Sequence, residues 1–264
     1  MDRLSNPLIA LFSSLATDAP ELVEQPPWRH LFAAKGVPGT FVLYQPLADR
    51  WLVHDAARAR EPLLPHGTFD IANALVGLET GALNDELEVF HWDGTPKPVP
   101  LWERDHDLAS GMGFSVAWMF QQIARRVGRA RMREWLERLD YGNRDVSGGI
   151  DHFWLQGGLR ISALQQVRFL HRLAEGRLAA TQRAQRLVRG ALKVEKIADC
   201  TLYAKTGTTS QVIREPVWWW VGWVERRGRV EACFALNFAP NGANRFADRF
   251  DIGRAILVEA GALP

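Results

Sequence analysis

The apolar residues of this chain change their period twice, and few architectures accommodate such a pattern. GTFVLYQPLADRWLVHD, residues 39 to 55, holds two runs rich in β-branched and aromatic residues around a polar PLAD connection, which is a hairpin signal. From about 71 to 190 the spacing becomes helical: IANALVGLETGAL, FSVAWMFQQIARRVG, ARMREWLERL, ALQQVRFLHRLAEG and TQRAQRLVRGAL, with Gly128, Gly176 and Gly190 placed as stops. Strand character then returns in CTLYAKTG, PVWWWVGWVER and RVEACFALNF, where ERRGRVE reads as a tight turn between the last two. RFADRFDIGRAILVEAGAL closes the chain as a helix.

A lone early hairpin cannot bury enough surface to persist, so it is expected to join the late strands in one antiparallel sheet. The fold class is therefore α+β: a sheet lobe from both chain ends, about 20–60 and 195–264, with a helical lobe, about 61–194, inserted between them. At 264 residues and 47% apolar composition the chain can bury a full core, and a single domain spanning 1–264 is expected. The cleft between the lobes is the natural place for a small-molecule ligand.

Charge narrows the partners. Thirty-two lysines and arginines against 30 carboxylates leave +2, too little for a polyanionic partner, so no nucleic acid is expected. The densest basic run, RRVGRARMRE at 125 to 134, alternates its arginines with Val127, Met132 and Trp135 and reads as a solvated helix face. Cys200 and Cys233 lie in separate strand-like segments and are expected as two buried thiols. No histidine–carboxylate spacing suggests a metal site and no glycine-rich phosphate loop follows a strand, so neither metal nor cofactor is expected. NPLIALFSSLA lacks a basic leader and a small-residue cleavage site. As written, this suggests a cytoplasmic chain without a membrane span; a longer precursor would place it in the periplasm.

These landmarks resemble, in order, the class D serine β-lactamases and, more distantly, the penicillin-binding transpeptidases. The resemblance runs from about Trp28 to Leu263 through GTFVLYQ, WLVHD, TFDIANALVGLETGAL, FHWDG, SVAWMFQQIARRVG, YGN, DHFWLQGGLRIS, KTG, WWVGWVE, FALNF and Arg249. In that family a Ser-x-x-Lys motif opens a helix; the serine attacks the lactam carbonyl and the carbamylated lysine is the general base. The resemblance puts Gly67 and Asp70 in those two places. Covalent catalysis needs an attacking atom and a base within hydrogen-bond reach, and glycine supplies no attacking atom. Thr68 is no replacement, because one residue along a helix turns a side chain by roughly 100°. Asp70 keeps a negative charge on a short arm near a helix N-terminus, where the dipole favours it.

The rest of the family pattern is present. The resemblance makes Ser115 of SVA a member of the proton network, with Ala117 where valine is usual, and Lys205, Thr206 and Gly207 the motif whose lysine supplies positive potential. It makes Arg249 the carboxylate-binding guanidinium, and the main-chain N–H groups of Gly67 and Thr208 the oxyanion hole. Trp154, without a carbamate to shelter, is expected in the core, and His66 on an exposed loop. The four tryptophans Trp218, Trp219, Trp220 and Trp223 should divide between the two faces of a strand.

The candidate catalytic groups are thus Asp70, Ser115 and Lys205, with the nucleophile's place vacant at Gly67. The candidate substrate-binding groups are Gly67, Ser115, Lys205, Thr206, Gly207, Thr208 and Arg249. A Ser115–Lys205 dyad is chemically possible, although the family arrangement puts Ser115 off the line of attack. The expectation is a noncatalytic homologue that binds a β-lactam or peptidoglycan-like acyl-amide. The alternatives are a repurposed enzyme using Asp70 as acid or base without an acyl-enzyme, and a laboratory-inactivated variant of a β-lactam hydrolase.

Overall fold

The computed structural model describes residues 20–209 and 216–264. The NPLIALFSSLA stretch lies outside them. One seven-stranded sheet organises the rest: β1 (Leu22–Glu24), β2 (Gly39–Gln45), β3 (Arg50–His54), β4 (Lys193–Ile197), β5 (Cys200–Thr208), β6 (Trp218–Arg226) and β7 (Arg229–Phe238), in the order β1-β3-β2-β7-β6-β5-β4. The early hairpin does join the late strands, Phe41 of β2 lying opposite Leu236 of β7. The sheet is mixed rather than wholly antiparallel, because β1 runs parallel to β3 at one edge. Such a pair needs an intervening connection, supplied here by a helix, α1 (Arg29–Ala33), and strand β2.

The helical block is α2 (Ala56–Arg60), α3 (Asp70–Thr80), α4 (Leu108–Phe114), α5 (Ala117–Val127), α6 (Arg129–Leu139), α7 (Ala163–Ala174) and α8 (Gln182–Ala191); α9 (Asp248–Glu259) closes the chain. Gly128 and Gly176 stop helices as their positions suggested, but Gly190 lies inside the last turn of α8. The FSVAWMF run is not one helix. It breaks at Ser115, whose backbone turns left-handed (φ +50°) between α4 and α5. Arginines of the 125–138 run pair with carboxylates at Asp151, Glu88, Glu137 and Glu134, or donate to main-chain carbonyls, consistent with a solvated face.

Strand alternation splits the tryptophans as period-2 geometry requires. Trp219 and Trp223 enter the core shared with the helical block, whereas Trp220 packs with α9 and α1, where Trp218 lies against that second core. Cys200 and Cys233 are buried free thiols. No helix among the described residues is long and apolar enough to cross a membrane.

Candidate active site

The segment HGTF, residues 66 to 69, forms a tight 3-10 turn that feeds α3 at Asp70. Three anchors fix it. The His66 N–H donates to the Trp154 carbonyl (3.1 Å), the indole N–H of Trp219 to the Leu64 carbonyl (2.8 Å), and the Thr68 hydroxyl to the Pro65 carbonyl (2.8 Å). Strand β5 presses against this turn so closely that a Cβ on Gly207 would stand 2.6 Å from the Pro65 carbonyl oxygen. Glycine at that position is what allows the strand and the turn to meet.

His66 is not the exposed loop residue expected from the sequence. It is buried, with Nε2 2.9 Å from the Thr209 hydroxyl, and burial lowers its pKa to about 4, so the ring is neutral at ordinary pH. Thr68 is also buried and fully engaged, since its hydroxyl accepts from Gln166 Nε2 at 2.7 Å. Trp154 packs on Phe69, ring centroids 5.2 Å apart, in the core role expected of it.

Gly67, Asp70, Ser115 and Lys205 converge. Lys205 Nζ sits 3.0 Å from Asp70 Oδ2 and 3.2 Å from the Thr206 carbonyl, and it donates a short hydrogen bond to Ser115 Oγ. An ammonium has three protons, so these contacts use all of its donors. The space that a side chain on residue 67 would need is already occupied. A Cβ built there would lie 2.8 Å from the Thr206 carbonyl oxygen, 3.0 Å from Ser115 Oγ and 3.3 Å from Lys205 Nζ. Ser115 Oγ and Lys205 Nζ therefore crowd the position where a side chain at 67 would begin.

Electrostatics make this a strained neighbourhood. Burial pushes Asp70 up to about 6, with the Lys205 charge and hydrogen bonding from Lys205 and Ser115 only partly opposing it. Burial likewise pulls Lys205 below its usual range, against the Asp70 charge. Both directions say the same thing: desolvation outweighs the mutual attraction, as is common for an ion pair removed from water. The family resemblance put both residues in one site, but their direct pairing comes from the packing of the turn against β5, which no local pattern marks.

Arg249 completes the cleft from α9. Its Nη1 donates to the Gly207 carbonyl (3.2 Å), Thr208 Oγ1 (3.0 Å) and the Trp219 carbonyl (3.2 Å), while the rings of Phe246 and Trp218 flank the guanidinium at 4.0 and 4.7 Å. Nη2 is buried without a hydrogen-bond partner among the described residues. Burial lowers the pKa to about 9, which leaves a cation at neutral pH with one unspent donor. Sequence reasoning gave no role to Gln166 or Tyr141, two buried polar side chains behind the turn; Tyr141 opens the YGN landmark, whereas Gln166 carries no recognisable motif.

The family model of the penicillin binding protein transpeptidase domain matches residues 48–257. Among curated proteins, β-lactamase OXA-10 of Pseudomonas aeruginosa is 40% identical over 258 residues, covering 97% of this chain and 96% of its own. The chain belongs to the class D β-lactamase family. β-Lactamase OXA-48 of Klebsiella pneumoniae, another class D relative, is 36% identical over 97% of this chain and 96% of its own. The crystal structure of FUS-1 (OXA-85), a class D β-lactamase from Fusobacterium nucleatum subsp. polymorphum, superposes with a TM-score of 0.87 at 32% identity, covering 92% of this chain and all of that one. The class D fold thus accounts for the seven-stranded sheet, on which KTG meets the 66–70 turn and Ser115.

Proposed function

We propose that this class D homologue binds an acyl-amide ligand, a β-lactam or a peptidoglycan-like stem, without turning over β-lactams through position 67. The observation that carries this reading is the filled space at Gly67: no attacking atom is present, and Ser115 and Lys205 stand where one would begin. The position of Asp70 within the family's motif supports the same view, since its carboxylate is ion-paired with Lys205 and carries no long arm towards position 67.

Retained recognition rests on the other half of the cleft. Arg249 keeps a cation and an unspent donor, which suits a ligand carboxylate. The main-chain N–H groups of Gly67 and Thr208 are the candidate donors to the ligand's carbonyl oxygen, a role that needs no side chain. Thr206, Gly207 and Thr208 offer the strand along which an amide would lie.

Two measurements test the proposal. A ligand specific to the native state raises the melting temperature by mass action, so benzylpenicillin at millimolar concentration is expected to shift the melt, and Arg249→Leu to abolish the shift. Nitrocefin is expected to show no steady hydrolysis. Sustained turnover by purified protein would overturn the noncatalytic reading; no shift with benzylpenicillin or a D-alanyl-D-alanine peptide would overturn the ligand class.

A further inference from the structure

We propose that Ser115, with Asp70 as base and Lys205 as electrostatic partner, is an acyl-acceptor site that takes one acyl group per chain from an activated ester or a strained lactam. The inference rests on the preceding reading only in requiring that the cleft admit acyl compounds. It concerns a single transfer and not turnover.

Three observations carry it. First, Ser115 Oγ lies 3.0 Å from where a Cβ on residue 67 would be, so its hydroxyl stands next to the position from which a side chain at 67 would project. Second, Ser115 is partly open to solvent whereas Asp70 and Lys205, behind it, are buried. A nucleophile at the surface with its activating charges sheltered is what acyl transfer requires. Third, the division of labour is complete. Lys205 donates to Ser115 Oγ and so favours negative charge developing there, and Asp70, ion-paired to the same ammonium, is the carboxylate beside them that can take the hydroxyl proton. Ser115 is held in this place by a left-handed backbone, φ +50° and ψ +54°, at the C-cap of α4, a conformation that a serine adopts only where its surroundings fix it.

The step balances with groups on the page. A lone pair on Ser115 Oγ forms the new bond to the acyl carbon, and the hydroxyl proton passes to the Asp70 carboxylate. With a nitrophenyl ester, the C–O bond breaks and its electron pair leaves on nitrophenolate. With a lactam, the C–N bond breaks and the ring nitrogen takes the proton from Asp70. Burial, which raises Asp70 to about 6, places this base close to the range in which proton transfer is efficient. The groups that set its charge are Lys205 from β5 and Ser115 before α5, with Tyr141 behind it and Arg249 acting on Lys205.

The test uses p-nitrophenyl acetate and the whole chain. The expected result is one equivalent of nitrophenolate, a gain of one acetyl group by intact mass, and an ester mapped to Ser115 that hydroxylamine removes. Ser115→Ala is expected to abolish the label, and Asp70→Asn to slow it about 100-fold, the usual contribution of a general base. Should Asp70→Asn fail to fold, the labelling rate of the parent chain serves instead: it is expected to fall as pH drops below about 6. Hydroxylamine-stable label on Lys205, a label that survives Ser115→Ala, or no label at all would overturn the inference. A melt shift with benzylpenicillin but no acetylation would sink this inference alone. Steady nitrophenolate release through Ser115 would overturn both the single transfer and the noncatalytic reading.

Discussion

Removing one member of the Asp70–Lys205 pair probes the site more sharply than removing both. Asp70 and Lys205 are 3% and 4% exposed, and their charged groups lie 3.0 Å apart. In Asp70→Asn the ammonium keeps its desolvation penalty and loses its counter-charge, which typically costs about 3–5 kcal/mol. Lys205→Met strands the carboxylate at a similar cost. The two single variants should respond to pH in opposite senses. Asp70→Asn recovers as pH rises, because Lys205 is already pulled below its usual range and can shed its proton. Lys205→Met recovers as pH falls, because Asp70, already raised to about 6, takes one up. The double variant Asp70→Asn/Lys205→Met buries no charge and should lie within about 1 kcal/mol of the parent, giving a coupling energy of roughly 5 kcal/mol or more. Urea unfolding at pH 5, 7 and 9 for the four proteins measures all of this. Additive losses in the double variant, or pH responses of the same sign in both singles, would refute the claim that these two charges depend on each other.

Three further outcomes follow from the same geometry. Gly67→Ser should lower stability by about 1–3 kcal/mol, the range for overpacking, because the nearest obstacle to its Cβ is the backbone carbonyl of Thr206 at 2.8 Å; a melting temperature at or above the parent's would contradict the filled space. Trp219→Phe removes the donor to the Leu64 carbonyl and should cost about 1–3 kcal/mol in urea unfolding, since that acceptor is left buried without it. His66→Gln should change the acid response. A histidine lowered from 6.5 to about 4 contributes stability that is present above pH 6.5 and lost as pH falls towards 4, on the order of 3 kcal/mol, whereas Asp70, raised from 3.8 to about 6, gains stability over much of that window. The two offset each other in the parent, so His66→Gln should become more stable towards pH 4 relative to pH 7, and an unchanged melting profile would exclude the buried neutral ring.

The scaffold was legible because its signals are local. Period-2 apolar runs at 39–55 and 200–238, helix spacing between them and the turn at Arg227–Gly228 each identify an element without knowledge of the rest, and the sheet followed from the need to cover a lone hairpin. Register with β1 was missed because a three-residue edge strand carries no periodicity to read. The break at Ser115 was missed for a related reason: the apolar spacing of FSVAWMF continues through it, and nothing in a serine marks a left-handed backbone in advance.

The site divides along the same line. That Gly67 lacks an attacking atom is a property of one residue, whereas the fate of the surrounding space is a property of several. A deleted side chain in a cleft can leave a water-filled gap, a collapsed backbone or room for neighbours, and the choice depends on which neighbours are long and charged. Here Asp70 decides it. Its carboxylate at the helix start pairs with the Lys205 ammonium, which also donates to Ser115 Oγ and the Thr206 carbonyl and so ties the helix start to the residues around Gly67. Positions 67 and 70 are therefore coupled through Lys205: a side chain added at 67 would crowd the Thr206 carbonyl, Ser115 Oγ and Lys205 Nζ, and that ammonium is paired with Asp70.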